Sequence, residues 1–115
     1  MIGWSQDELA RLELLSAGEP VSVSMRAGVH PRLISWAKSN GLFVRIDRGT
    51  KWGNPFVLGR DGDRDTVIER YQHRLACEDS LLAALGELAG KALGCWCAPR
   101  RCHGDVLAGI LHAGL

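Results

Sequence analysis

"LGCWCAPRRCHGDVL", Leu93 to Leu107, holds three of the four cysteines of this 115-residue chain, and its reading decides the fold. The lead-in "KALGCWC" is short and largely apolar, as a buried strand is. "APRR" is a turn, and "CHGDVLAGILHAGL" places Val106, Leu107, Ile110 and Leu111 at helical spacing. A strand passing through a tight turn into a helix is the repeating step of an α/β fold. On an extended strand Cys95 and Cys97 share one face and Trp96 takes the other, while Cys102 and His103 open the helix. The four groups then meet where a strand's carboxyl end faces a helix N-terminus, the usual ligand position of an open α/β sheet.

Three chemistries suit that cluster. Cys95, Cys97, Cys102 and His103 are the donors of a Cys3His zinc site, with zinc as the cofactor. Their spacing strains that reading, because Cys-x-Cys on an extended strand separates the sulfurs by roughly 6–7 Å. Two ligands each about 2.3 Å from one tetrahedral ion sit closer than that. In the second reading Cys102 is a nucleophile, its thiol pKa depressed by the helix N-terminus, and His103 is its base. Arg100, Arg101 and His103 add positive field for an anionic substrate, and Asp105 orients His103 or competes with the anion. In the third reading the cysteines are inert, small and buried.

Working outward, "LFVRID" (Leu42 to Asp47) alternates as a second strand does. The loop "RGTKWGNPF" follows, with Arg48, Lys51 and Asn54 as candidate ligand contacts beside the aromatics Trp52 and Phe56. Asp63 or Asp65 caps a helix "TVIERYQHRLAC" that buries Val67, Ile68, Tyr71 and Leu75, leaves His73 in solvent and ends on Cys77 as a core residue. "SLLAALGELAG" is a further helix burying Leu81, Leu82, Leu85 and Leu88. At the start, "WSQDEL" is a capping box from Ser5 to Glu8 with a Trp4–Leu9 staple. It opens a helix from Gln6 to Ala17 that buries Leu9, Leu12 and Leu15 and stops at Gly18.

"PVSVSMRAGVHPRLISWAKSNGL" reads as two short helices around Ala27-Gly28-Val29, a helix-turn-helix-like corner with Arg26, Arg32, Ser35 and Lys38 as candidate DNA contacts. The expected architecture is therefore α/β, a small sheet flanked by helices in residues 42–115, preceded by a three-helix, helix-turn-helix-like segment in residues 1–41.

The formal net charge is +1 over the whole chain, so the molecule is no polycation. Between Pro20 and Lys51, however, six Lys/Arg face only Asp47, a local excess that favours a nucleic-acid or phosphate-bearing partner. No apolar run is long enough to span a membrane, and the acidic "MIGWSQDELARLELL" lacks the basic start of a signal peptide. A cytoplasmic location is expected, where clustered cysteines bind metal or do chemistry more often than they form disulfides.

"RGTKWGNPF", "GRDGDRDTVIERY" and "ELAGKALGCWCAPRRCHGDVL", in that order and spacing, resemble a family of bacteria and phages known only as a domain of unknown function. The likeness covers about Val44 to Leu111. It implies that Arg48, Trp52, Asn54, Asp61, Cys95, Cys97, Pro99, Cys102, His103 and Asp105 belong to one functional unit. One departure is Asp47-Arg48-Gly49, where a Gly-Arg-Gly entry to the loop is expected.

The function expected from these features is binding of nucleic acid or a nucleotide, with action on a phosphate-bearing ligand through the Cys/His site. Two rivals stand beside it. One is a non-enzymatic DNA-binding regulator whose cysteines hold a structural zinc. The other, for a phage protein, is a binder of a host protein anchored by one of Trp4, Trp36, Trp52 and Trp96.

Overall fold

The computed structural model describes residues 3–113, which form a three-stranded parallel sheet with helices on both faces. Helix α1 (Gln6–Ser16) opens on the capping box read from the sequence: Ser5 Oγ accepts from the Glu8 N–H, and Glu8 Oε1 accepts from the Ser5 N–H. Strand β1 (Val21–Ser24), helix α2 (Pro31–Ser39), strand β2 (Phe43–Arg45) and helix α3 (Arg64–Ala76) follow. Helix α4 (Asp79–Ala84) runs into a 3-10 turn at Leu85–Leu88, ahead of strand β3 (Ala92–Cys95) and helix α5 (His103–His112).

The strand order is β1-β3-β2, so the last strand lies in the middle. Ala92 pairs with both Val21 and Phe43, and Cys95 lies opposite Ser24. A central parallel strand is covered on both faces, which is why all four residues of β3 are buried and why its sequence is apolar without alternation. The two faces still separate by period two. Ala92 joins Leu15, Val21, Val23, Leu33 and Ala37 under α1 and α2. Leu93 and Cys95 join Ile46, Tyr71, Leu75, Leu88 and Leu107 under α3, α4 and α5.

Strand β1 corrects the helix-turn-helix reading. Of the two helices expected around Ala27-Gly28-Val29, the second forms as α2, while the first is strand. The string Val-Ser-Val-Ser has a strict period of two, and β3 supplies it with ladder hydrogen bonds that a single helical turn could not make for itself. Val21 and Val23 face α1 and α2. Ser22 lies so close to α5 that a Cβ on Gly104 would come within 3.3 Å of the Ser22 Cβ. Residues 3–41 are thus helix, strand, helix, and the sheet bonds them to residues 42–113 instead of leaving a separate three-helix segment.

Smaller corrections follow the same logic. Leu9, expected in the core, is 49% exposed, while the neighbouring Glu8 is buried. Glu8 Oε2 accepts the Leu33 N–H at 2.8 Å, so α1 turns its acid to α2's first turn, where unpaired N–H groups need acceptors. Burial works to raise that carboxyl's pKa, but the Ser5 and Leu33 N–H groups outweigh it and hold it below its ordinary 4.5. Cys77 caps α3 and is exposed, because α4 begins too soon after it to cover it. Val67, Ile68, Tyr71 and Leu75 are buried as expected, with Asp63 as the cap of α3. Among the described residues no helix is long and apolar enough to cross a membrane.

Candidate functional site

Strand β3 ends at Cys95, and the chain bends at Trp96 and Cys97 before the Ala98–Arg100 turn, whose Ala98–Pro99 peptide is cis. Cys102 is the N-cap of α5. Its Sγ accepts the Gly104 N–H at 3.3 Å, and its own N–H donates to Asp105 Oδ2 at 2.9 Å, a capping box with a thiol in the place of a hydroxyl. Asp105 Oδ1 accepts from Ser22 Oγ at 3.1 Å, and Arg11 Nη1 reaches the same hydroxyl at 3.3 Å. Asp105, expected as a ligand contact, is therefore committed to holding α5 against β1 and α1.

Cys102 Sγ donates to Cys95 Sγ at 3.4 Å, and Cys95 Sγ donates to the Val23 carbonyl at 3.5 Å. The Cys97 thiol lines the same cavity as Cys102 and Arg64. The neighbouring Cys102 thiol pulls the Cys97 pKa down to about 5, helped by Arg64 and opposed by partial burial. Cys102 goes the other way: two adjacent sulfurs and its burial push its pKa up and keep it a thiol, although the Gly104 N–H favours the anion. The depressed thiol is thus Cys97, where the sequence predicts Cys102. The helix N-terminus does act on Cys102, but burial and the neighbouring sulfurs outweigh it.

His103 is buried, with Nε2 2.6 Å from the Ile46 carbonyl and its ring edge-on to Tyr71. A carbonyl only accepts, so Nε2 carries the proton and Nδ1 the lone pair of the neutral ring. Burial lowers the pKa from 6.5 and keeps the ring neutral at pH 7. Among the described residues no group of three or more His, Cys, Asp or Glu side chains is disposed to hold a metal.

A cavity of about 230 Å³ opens beside the three sulfurs. Arg48, Arg64 and Arg101 are its cations, Asp47 its acid, and Phe56, Leu58, Val67, Ile68 and Trp96 its apolar walls. Trp96 is half-exposed, with its Nε1–H donating to Asp47 Oδ2 at 3.1 Å. The Arg45 hydrogen bond, against burial, holds the Asp47 carboxyl below its ordinary 3.8, so it is charged. Arg64 Nη1 donates to the Arg101 carbonyl at 2.9 Å, and Arg101 Nη1 to Asp65 at 2.6 Å.

Of the expected ligand contacts, Arg48, Asn54 and Arg101 line this cleft. Asn54 also staples the loop to α3, its Nδ2 donating to the Val67 carbonyl and its Oδ1 accepting from Phe56 N–H. Lys51 instead pairs with Glu87 at 3.0 Å. Trp52 is buried, and its carbonyl accepts from Tyr71 Oη at 2.8 Å, so it anchors the loop from inside. Asp61 accepts the Val57 N–H and shapes the following turn. Arg26, Arg32, Ser35 and Lys38 are exposed elsewhere: Arg32 and Ser35 border a separate shallow groove with Trp4 and Trp36, and Lys38 lies over the Phe43 ring. Sequence reasoning missed Arg64 and Asp47 and offered Trp96 only as an anchor for a host protein. Arg64 did leave a signal, since a cation in the first turn of a helix opposes the macrodipole and needs an anionic partner.

A family model described as domain of unknown function (DUF4326) matches residues 34–113. The chain belongs to that family. The matched region takes in α3 to α5, β2, β3 and every residue named in the cleft, while α1 and β1 precede it. The chain is 40% identical over 74 residues to the uncharacterized 12.4 kDa protein of the nrdA-td intergenic region in Enterobacteria phage T4, covering 60% of this chain and 67% of that one. It is 35% identical over 66 residues to uncharacterized protein R718 of Acanthamoeba polyphaga mimivirus, covering half of each. No solved structure matches the chain.

Proposed function

We propose that the DUF4326 domain of this chain binds a nucleotide-like ligand, a planar ring bearing a phosphate, in the cleft beyond the carboxyl end of β3. The observation that carries the reading is the pairing of three arginines with a half-exposed tryptophan around one small cavity. Guanidinium groups fit phosphate oxygens through paired N–H donors, and Trp96 and Phe56 offer faces on which a base can stack. Asp47 is a charged acceptor for a ring N–H or amino group, and its bond to Trp96 sets the angle of the indole. About 230 Å³ is room for one ring and its anion, below the usual volume of a drug-sized pocket, so a mononucleotide or one flipped-out base fits better than a helical duplex.

Calorimetric titration of the full chain with nucleoside monophosphates is the test. Saturable binding is expected, weakened about tenfold (~1.4 kcal/mol) by Arg48→Ala and by Arg101→Ala. Trp96→Phe should abolish the accompanying fluorescence change. Binding unaltered by either arginine replacement, or no binding to any base at millimolar ligand, overturns the reading.

A further inference from the structure

The nucleotide reading makes no use of the sulfurs, yet their placement is specific. Cys95 and Cys102 are sealed, 1% and 3% exposed, with their Sγ atoms 3.4 Å apart. Cys97 is half-buried and lines the same cavity as Cys102, with more of its surface open to solvent. One sulfur therefore meets whatever enters the cleft, and a second waits behind it out of solvent. A solitary structural cysteine needs no such order, and packing alone would not leave the Cys97 sulfur on a cavity wall beside Arg64.

We propose that Cys97 and Cys102 form a redox-active pair that exchanges with small disulfides entering the cleft, Cys97 reacting first and Cys102 resolving. In the first step the Cys97 thiolate attacks one sulfur of the incoming disulfide; a Cys97–S–S–R bond forms, the external S–S bond breaks, and one thiolate departs. In the second, Cys102 Sγ attacks Cys97 Sγ, its proton leaves with the second thiol, and a Cys97–Cys102 disulfide remains. Starting from the Cys97 thiolate, the protein loses two electrons and the one proton of Cys102, and the first thiolate released takes its proton from solvent, so the external disulfide ends as two thiols. Access decides the order, since a reagent in the cavity reaches Cys97 before it reaches a sulfur only 3% exposed. Thiol–disulfide exchange requires such contact. Cys95, against Cys102 from the other side, holds the resolving sulfur in place.

The test uses the full, reduced chain and hydroxyethyl disulfide, a small neutral probe whose reaction does not depend on the cleft's charge. The expected product is the chain less two hydrogens, with no adduct, two probe thiols released and a Cys97–Cys102 link in the peptide map. Cys102→Ser should trap one probe half on Cys97. Cys97→Ser should remove both adduct and link, whereas Cys77→Ser and Arg48→Ala should leave the link intact. The Arg48 variant thus separates this inference from the nucleotide reading. A wild-type chain that keeps its adduct on Cys97 with Cys102 free, a link that still forms in Cys97→Ser, or one tightly held zinc per reduced chain that blocks the exchange each overturns it.

Discussion

Two cysteines five residues apart on one cavity wall have opposite chemistry because one is half-exposed and the other is sealed among neighbouring sulfurs. Cys102 stands where a sequence argument expects a reactive thiol, at a helix N-terminus, but its sulfur is enclosed by Cys95 and Cys97 and stays protonated. Cys97 carries no helix signal at all, and its thiolate is favoured by the neighbouring Cys102 thiol and Arg64, groups that only folding brings near. Its pKa of about 5 sets a test: iodoacetamide labelling of Cys97 should hold its neutral-pH rate in mildly acidic buffer and fall to half near pH 5. Cys77, exposed on α3, serves as the internal comparison. Tyr71 is a second residue whose role lies in one atom, its hydroxyl donating to the Trp52 carbonyl inside the core. Tyr71→Phe leaves that carbonyl without a partner and should cost about 1–3 kcal/mol in chemical denaturation.

Among the elements, β1 shows why helix and strand are confused over short runs. Four residues of Val-Ser-Val-Ser with a glycine nearby fit a helical corner on composition alone; the unpaired edge of β3 decides the outcome. Helix α3, with four apolar positions on one face and an Asp63 cap, was legible because a three-turn period leaves little room for another reading. Two glycines are demanded by packing that no periodicity reveals. A Cβ on Gly94 of β3 would lie 2.7 Å from Phe43 Cζ, and one on Gly53 would lie 2.6 Å from Arg48 Cα. The first clash is with a ring that can shift, so Gly94→Ala should destabilise the sheet by about 1–3 kcal/mol as overpacking does. The second is with backbone, so Gly53→Ala should displace Arg48 and weaken ligand binding in the titration above more than it lowers Tm.

At the scale of the whole molecule, the sheet order makes the chain one unit. Residues 42–115 alone would leave β3, a strand buried on both faces, with no partner on one edge and no cover from α1 and α2. A chain cut before Leu42 should therefore show no cooperative unfolding transition by circular dichroism, although most of the family-matched region lies after the cut. Acid should act on the whole fold as well. Glu8 and Asp47 have folded pKa values below their ordinary 4.5 and 3.8, so their stabilisation is complete above those values and lost as pH falls through the lower folded ones. Tm should already decline as pH falls below about 6.5, where the buried neutral His103 and the depressed Cys97 thiol leave the extra proton to the unfolded state, and drop further below about pH 4.5; Glu8→Gln should shrink only that last drop.

The order of elements from β2 onward, the strand-turn-helix step at the cysteines and the loop from Arg48 to Phe56 were determined by local chemistry: periodicity, caps and turn residues act within a few positions and can be read there. The middle place of β3, the strand state of residues 21–24 and the exchange of roles between Cys97 and Cys102 were decided only by the tertiary structure. Each depends on which groups from distant segments share a face or a cavity, and desolvation and close packing act through space, independent of separation along the chain.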